Sequence, residues 1–240
     1  MNWIAPPKPA EHAESHLIDA ILTGEFSIGS CLPAERELAL QLGVTRPTLR
    51  EALQRLARDG WIEIHHGRST RVRDYWREGS LGVLSAIADR PDHLPEDFVR
   101  NLLAVRLVMA PAYARLAVEN NAGQVVEMLA DHTRLPETAQ AFAEFDWLLH
   151  HRLTVASGNP VFTLILNGFC DLYQPMALNY FQASEARHSS RGFYANLYRA
   201  AQAQDAHHAE NLTRRVMAES LLLWDKASHK QDAQNNQSRS

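Results

Sequence analysis

The sequence predicts a mainly α protein in two parts: an N-terminal unit of three short helices closed by a β-hairpin, and a C-terminal all-α helical bundle. Three observations predict it. Between residues 11 and 59, apolar residues recur with the three-and-four spacing of helices, broken at Gly24 and Gly43. From 61 to 73 the period drops to two around a glycine. Beyond about residue 80 the helical spacing returns and almost no strand pattern remains.

The first helix is expected in "EHAESHLIDAILTGEF", with Leu17, Ile18, Ile21 and Leu22 inward and Gly24 as its stop. Pro33 opens a second in "PAERELALQLG", where Leu38, Ala39 and Leu42 face inward and Gly43 supplies a left-handed cap. Thr45 then offers its hydroxyl as N-cap to "RPTLREALQRLARD", with Pro47 in the first turn, where a missing N–H is least costly. Leu49, Ala52, Leu53, Leu56 and Ala57 fall on one face of this third helix, and Arg46, Arg50, Gln54 and Arg58 on or near the other. In "WIEIHHGRSTRVR", Ile62 and Ile64 alternate with Glu63 and His65, and Thr70 and Val72 with Arg71 and Arg73, a hairpin whose tip holds Gly67. Helix, helix, helix and a basic hairpin make a winged helix-turn-helix over 1–73.

A charged linker, 74–79, leads to a helical domain over 80–228. Helices are expected at 80–89, 95–119, 122–133, 136–156, 160–182, 186–203 and 205–227, with Pro111 kinking the second of them. The tail 229–240, "HKQDAQNNQSRS", lacks apolar residues and is expected to be disordered.

The chain's 240 residues, 45% of them hydrophobic, suffice for two packed cores. A net charge of −4 excludes a globally basic nucleic-acid coat, but residues 33 to 73 carry eight arginines against five acids. Two cysteines are too few for a disulfide framework. No secretion signal opens the chain, and no uncharged apolar run approaches the roughly 18 residues of a membrane span, so a cytoplasmic protein without membrane contact is expected. A phosphate loop, a nucleophile with its base, and a complete metal set are all missing from the sequence, which speaks against an enzyme.

Arginines and hydroxyls at the exposed start of a helix-turn-helix second helix suit the major groove, where arginine forks onto guanine or phosphate. Arg46, Thr48 and Arg50 have that placement, and His66 and Gly67 at the hairpin tip suit the neighbouring minor groove. The run "LPAERELALQLGVTRPTLREALQRLARDGWIEIHHGRSTRV" resembles the N-terminal domain of the GntR family of bacterial transcription regulators. Within it the chain is most similar to the regulators of fatty acid metabolism, through "NLLAVR", "AFAEFDWLL", "ASGNP", "LILNG", "GFY" and the "ES" before Trp224, so that the likeness covers nearly the whole chain. The resemblance implies a DNA-contacting set of Arg36, Thr45, Arg46, Thr48, Arg50, His66 and Gly67, with Pro47 departing from an expected threonine.

Arg106 stands among apolar same-face neighbours Leu102, Leu103, Met109 and Ala110, a placement that is expensive unless the charge is paired. From the residues alone it is a structural ion pair, a snorkelling side chain or a ligand's partner. The resemblance implies the last, and a ligand-binding set of Arg106, Tyr180, Arg214, Glu219, Ser220 and Trp224 for long-chain fatty acyl-CoA, an effector rather than a cofactor. Met217 and Leu221 replace two expected glycines, and bulk at 217 is expected to reshape or close the ligand face. The implied function is a homodimer on palindromic operator DNA that represses fatty-acid degradation genes, activates unsaturated fatty-acid synthesis genes and leaves DNA when acyl-CoA binds. An alternative keeps the repressor but gives it a small carboxylate effector, with a metal on Asp146 and His150 at i and i+4; Tyr194 and Val216 stand where later ligands would be needed.

Overall fold

The chain forms two compact units, residues 1–94 and 95–240. The computed structural model describes residues 8–65, 67–95 and 97–237, without the side chains of 91, 171 and those from 227 on. His66, expected at the wing tip, therefore lies outside the described residues.

In the N-terminal unit, α1 (Pro9–Leu22), α2 (Glu35–Gln41) and α3 (Arg46–Asp59) follow the expected order. The Thr48 N–H donates to the Thr45 hydroxyl at 3.3 Å, closing the N-terminus of α3. Gly60 ends the helix at φ 97°. A Cβ there would also lie 2.9 Å from the Glu78 carbonyl oxygen and the Gly79 Cα, so both conformation and space demand glycine. Leu49, Ala52, Leu53 and Leu56 are buried, Ala57 only partly, and Leu17, Ile18 and Ile21 of α1 complete this core. Each buried leucine contributes about 1.5 to 3 kcal/mol.

Strands β1 (Ile62–Glu63) and β2 (Arg71–Val72) pair antiparallel, with Ile62 opposite Val72 and both buried. Ile64, expected inward, is 40% exposed because the ladder stops at Glu63. The backbone of 29–32 runs along the other edge of β2: Gly29 N–H donates to Val72 O at 2.9 Å and Leu32 N–H to Thr70 O at 2.8 Å. That edge pairing was not legible, since "GSCL" carries no alternation.

The stretch expected as a linker contains α4 (Tyr75–Glu78), and α5 (Leu81–Ala88), expected in the helical domain, packs within the N-terminal unit. Ser80 N–H donates to Asp59 O at 2.9 Å, while Arg90 reaches Asp19 at 2.5 Å and the Ser15 hydroxyl at 2.8 Å. These bonds tie the residues flanking α5 to the end of α3 and to α1, and the compact unit accordingly extends past 73 to Leu94.

The C-terminal unit comprises α6 (Phe98–Leu129), α7 (Ala139–Ala156), α8 (Pro160–Asn167), α9 (Cys170–Tyr180), α10 (Ser184–Gln202) and α11 (Ala206–Gln237). Helix α6 is central, packed by α7, α10 and α11. By length and composition it is apolar enough to cross a membrane, but Ala110, Tyr113, Ala114, Ala117 and Val118 are buried in the bundle core. Its irregular dihedrals fall at Asn121 (φ −148°, ψ 47°), joining the two helices expected at 95–119 and 122–133, whereas Pro111 lies inside the helix. The Asn120 and Asn121 amides donate to Ser157 O at 2.8 Å and Ala156 O at 2.7 Å, satisfying carbonyls that the end of α7 leaves without helical partners. The helix expected at 160–182 breaks into α8 and α9 around Gly168 and Phe169. Helix α11 continues to Gln237, through most of the stretch expected to be disordered.

Candidate functional site

The N-terminal unit presents the first candidate face. Arg36 is exposed in the first turn of α2, and Arg46 and Arg50 are exposed in the first turns of α3. The Thr45 and Thr48 hydroxyls meet at 2.8 Å on the same turn. A residue outside the expected set links these groups: Glu35 accepts from Arg50 Nε at 2.8 Å and lies 3.9 Å from Arg46 Nη2. Its signal was present in "PAERE", but an acid beside an arginine reads as ordinary surface charge until the turn folds it against α3.

Gly67, at the hairpin tip, has φ 74°, and a Cβ added to it would meet no atom within 4 Å, so space there is open and only conformation restricts the position. Gly67→Val is expected to cost about 1 to 2 kcal/mol through left-handed strain and to weaken operator binding by more than that. Thermal melting beside operator titration separates the two; losses of equal size would assign Gly67 to folding alone.

In the C-terminal unit a small cavity of about 80 Å³, a cleft partly open to solvent, lies between α6, α7, α8, α9 and α11. Its walls are largely apolar, with Leu102, Met109, Leu166 and Met176 among them, and its charged residues are Arg106 and Asp146. Arg106 Nη2 donates to Asp146 Oδ2 at 2.8 Å, and its guanidinium carbon lies 5.2 Å from the centre of the Tyr173 ring. Tyr173 donates to the same carboxylate oxygen, and Tyr194 to Oδ1 at 2.9 Å. Tyr113 and His150 Nδ1 share a hydrogen bond of 2.7 Å. Arg106 Nε and His150 Nε2 are buried without a hydrogen-bond partner among the described residues. An apolar cavity bordered by a buried arginine whose Nε lacks a partner suits an apolar ligand that carries an oxygen-bearing group.

Burial alone would favour the neutral Asp146 acid, but the Arg106 charge overcomes it and holds the carboxyl at about 2. His150 is pushed down to about 3, first by burial and then by the Arg106 charge. Both folded values lie below the unfolded ones, so the unfolded chain binds more protons in acid and stability falls with pH. The loss begins below the ordinary histidine value of 6.5 and continues as pH falls through about 3, with Asp146 adding to it below 3.8. Urea midpoints are expected to fall steadily from about pH 6.5 to 4, and His150→Gln to flatten that part of the slope. A flat wild-type profile would contradict this electrostatic account.

The structure brings four of the expected ligand residues to the cleft: Arg106, Tyr180, Ser220 and Trp224. The Tyr180 hydroxyl donates to Ser220 Oγ at 3.2 Å. Arg214 and Glu219 are not cleft residues: Arg214 is exposed and paired with Glu210 at 2.9 Å, and Glu219 accepts from Ser189 at 2.8 Å. Met217 is buried in the bundle core with Leu212 and Val216 and is not among the residues that line the cleft. Met217→Ala is expected to cost about 2 kcal/mol, the low end for a buried methionine because a helix bordering a cleft can relax. Calorimetry is expected to show no gain in ligand affinity, and a clear gain would restore 217 to the ligand face.

A metal does not fit Asp146 and His150. Both carboxylate oxygens are engaged by donors from Arg106, Tyr173 and Tyr194, and the neighbouring guanidinium repels a second cation. Among the described residues no group of three or more His, Cys, Asp or Glu side chains is placed to hold a metal ion.

A winged helix-turn-helix carrying an arginine-bearing second helix, on one chain with a helical unit built around an apolar cleft, defines a two-part transcription regulator. Residues 9–72 match the model of the bacterial regulatory proteins of the gntR family, and residues 73–236 that of the FadR C-terminal domain. The chain belongs to the GntR family of transcription regulators, which are not enzymes, and carries a FadR-type C-terminal domain. It is 44% identical over 219 residues to the "Fatty acid metabolism regulator protein" of Shewanella denitrificans, covering 91% of each chain. With the protein of the same name from Shewanella oneidensis it shares 45% identity over 217 residues, 90% of each chain. Its fold is similar to a solved structure described as "Lar controls the expression of the Listeria monocytogenes agr system and mediates virulence", with TM-score 0.60, 16% identity, and coverage of 92% of this chain and 98% of that one. The two family matches meet at 72/73, while the compact N-terminal unit extends to Leu94.

Proposed function

We propose that this chain is a cytoplasmic, acyl-CoA-responsive regulator of fatty acid metabolism. As a homodimer it binds palindromic operators through Arg36, Thr45, Arg46, Thr48, Arg50, His66 and Gly67. It represses fatty-acid degradation genes, activates unsaturated fatty-acid synthesis genes, and leaves DNA when long-chain acyl-CoA binds. The observation that carries the effector assignment is the apolar cleft bordered by the Arg106–Asp146 pair. The name shared by the Shewanella relatives supports the same direction.

In this proposal the acyl chain lies against Leu102, Met109, Leu166 and Met176, and Arg106 Nε meets an oxygen of the ligand. Ser220, Trp224 and Tyr180 border the chain, while Arg214 and Glu219, outside the cleft, meet the polar head. A ligand oxygen competes with Asp146 for the arginine, so the bound and free states favour different arrangements of the network joining α6, α7, α9 and α10. Two-fold symmetry of the dimer matches that of a palindrome, and ligand and DNA favour different states of it. Titration with oleoyl-CoA is expected to quench tryptophan fluorescence, with the quench largely lost in Trp224→Phe while calorimetry still reports binding. Heat of binding absent from the wild-type protein would remove acyl-CoA as effector and leave the DNA-binding half intact.

A further inference from the structure

We infer that Glu35 is a positioning residue for DNA reading, holding Arg46 and Arg50 in the free protein so that base edges, and not merely phosphates, are favoured as their partners. This rests on the DNA-binding reading above. One carboxylate oxygen takes Arg50 Nε at 2.8 Å and lies 3.9 Å from Arg46 Nη2. Arg46 and Arg50 stand at i and i+4 on α3, where two like charges repel, and an acid from α2 between them offsets that repulsion. All three side chains remain solvent-accessible, at 58%, 59% and 34%, so the contact is an exchangeable surface pair and not a buried support.

With Nε engaged, Arg50 presents its Nη1 and Nη2 edge, a pair of parallel donors matching the O6 and N7 acceptors of guanine. A phosphate seeking the same arginines must compete with Glu35 and is repelled by it. The carboxylate therefore penalises binding that relies on phosphates alone more than binding that uses the ordered arginine fork, which widens the gap between operator and random DNA. Other acids of this unit are engaged with other arginines: Glu51 with Arg55, Asp59 with Arg58, and Glu78 with Arg73. Glu37, also on α2, forms no ion pair among the described residues and supplies a matched control for lost charge.

The test compares full-length wild type, Glu35→Gln and Glu37→Gln by fluorescence anisotropy over a salt series. The probes are a duplex selected by the wild type from a randomised pool and a scrambled duplex of equal length. Glu35→Gln is expected to tighten binding to the scrambled duplex about two- to fivefold, the worth of one exposed ion pair, with a salt slope steeper by about 0.9 as one more phosphate contact opens. Its operator affinity is expected to stay level or fall, so the specificity ratio drops, while Glu37→Gln changes both duplexes by one common factor. If Glu35→Gln also shifts both by one factor, or weakens both in step with a fall in melting temperature, the positioning role is overturned. Failure of the wild type to select any sequence would overturn the DNA reading itself, and this inference with it.

Discussion

Arg106→Ala is expected to lower stability by about 3 to 5 kcal/mol, because it leaves the Asp146 carboxylate buried without its cation. The pair is well shielded, with side-chain exposures of 18% and 7%, so solvent screens it little. Tyr173 and Tyr194 still donate to Asp146 in the variant, but two neutral donors do not replace a charge. The double replacement Arg106→Met with Asp146→Leu, which removes both charges and keeps apolar volume, is expected to recover only part of the loss, because the Tyr173 and Tyr194 hydroxyls lose their acceptor. Urea denaturation of both variants decides this; a loss under about 1 kcal/mol in the single variant would mean that water in the cleft already solvates the carboxylate. Because the double variant folds but has no spare arginine donor, it is also expected to lose acyl-CoA binding.

Replacing Arg46 and Arg50 together by alanine is expected to reduce operator affinity on the order of a hundredfold or more, from about 1 to 3 kcal/mol for each arginine that reads a base. Neither side chain supports the core: both are exposed, and their shared partner Glu35 is itself partly exposed. The circular dichroism and melting temperature are therefore expected to stay close to wild type. Arg50→Lys keeps the charge but not the planar fork, and is expected to retain binding to scrambled DNA while losing discrimination. Retained operator affinity in the double alanine variant would move the reading face elsewhere on the unit.

Local signals carried the N-terminal unit well. Thr45 as N-cap of α3, Gly43 as the left-handed residue after α2 and the change of period at Trp61 are each written within a few residues of the structure they specify. Long-range partners were harder to see. Arg106 and Asp146 are each an odd charge on an otherwise apolar helix face, and two such charges of opposite sign imply a pair; forty residues of separation hid it, and the nearer His150 suggested a metal instead. Helix α5 was placed with the bundle by its composition, yet the contacts that hold it belong to Asp59, Asp19 and Ser15, far away in sequence. Of the expected ligand set, Arg106, Tyr180, Ser220 and Trp224 converge on the cleft. Glu219 does not, because neighbours on a helix point about 100° apart, and Ser220 already takes the inward direction.

Filling the cleft is expected to release DNA. This is tested most directly by anisotropy of a fluorescent palindromic operator bound to the full-length protein, titrated with oleoyl-CoA at one stated salt concentration. The expected result is release of the operator over the ligand range in which tryptophan quenching reports occupancy, and no release from the Arg106→Met, Asp146→Leu variant. An operator that stays bound while quenching shows the cleft occupied would contradict the coupling of the two units.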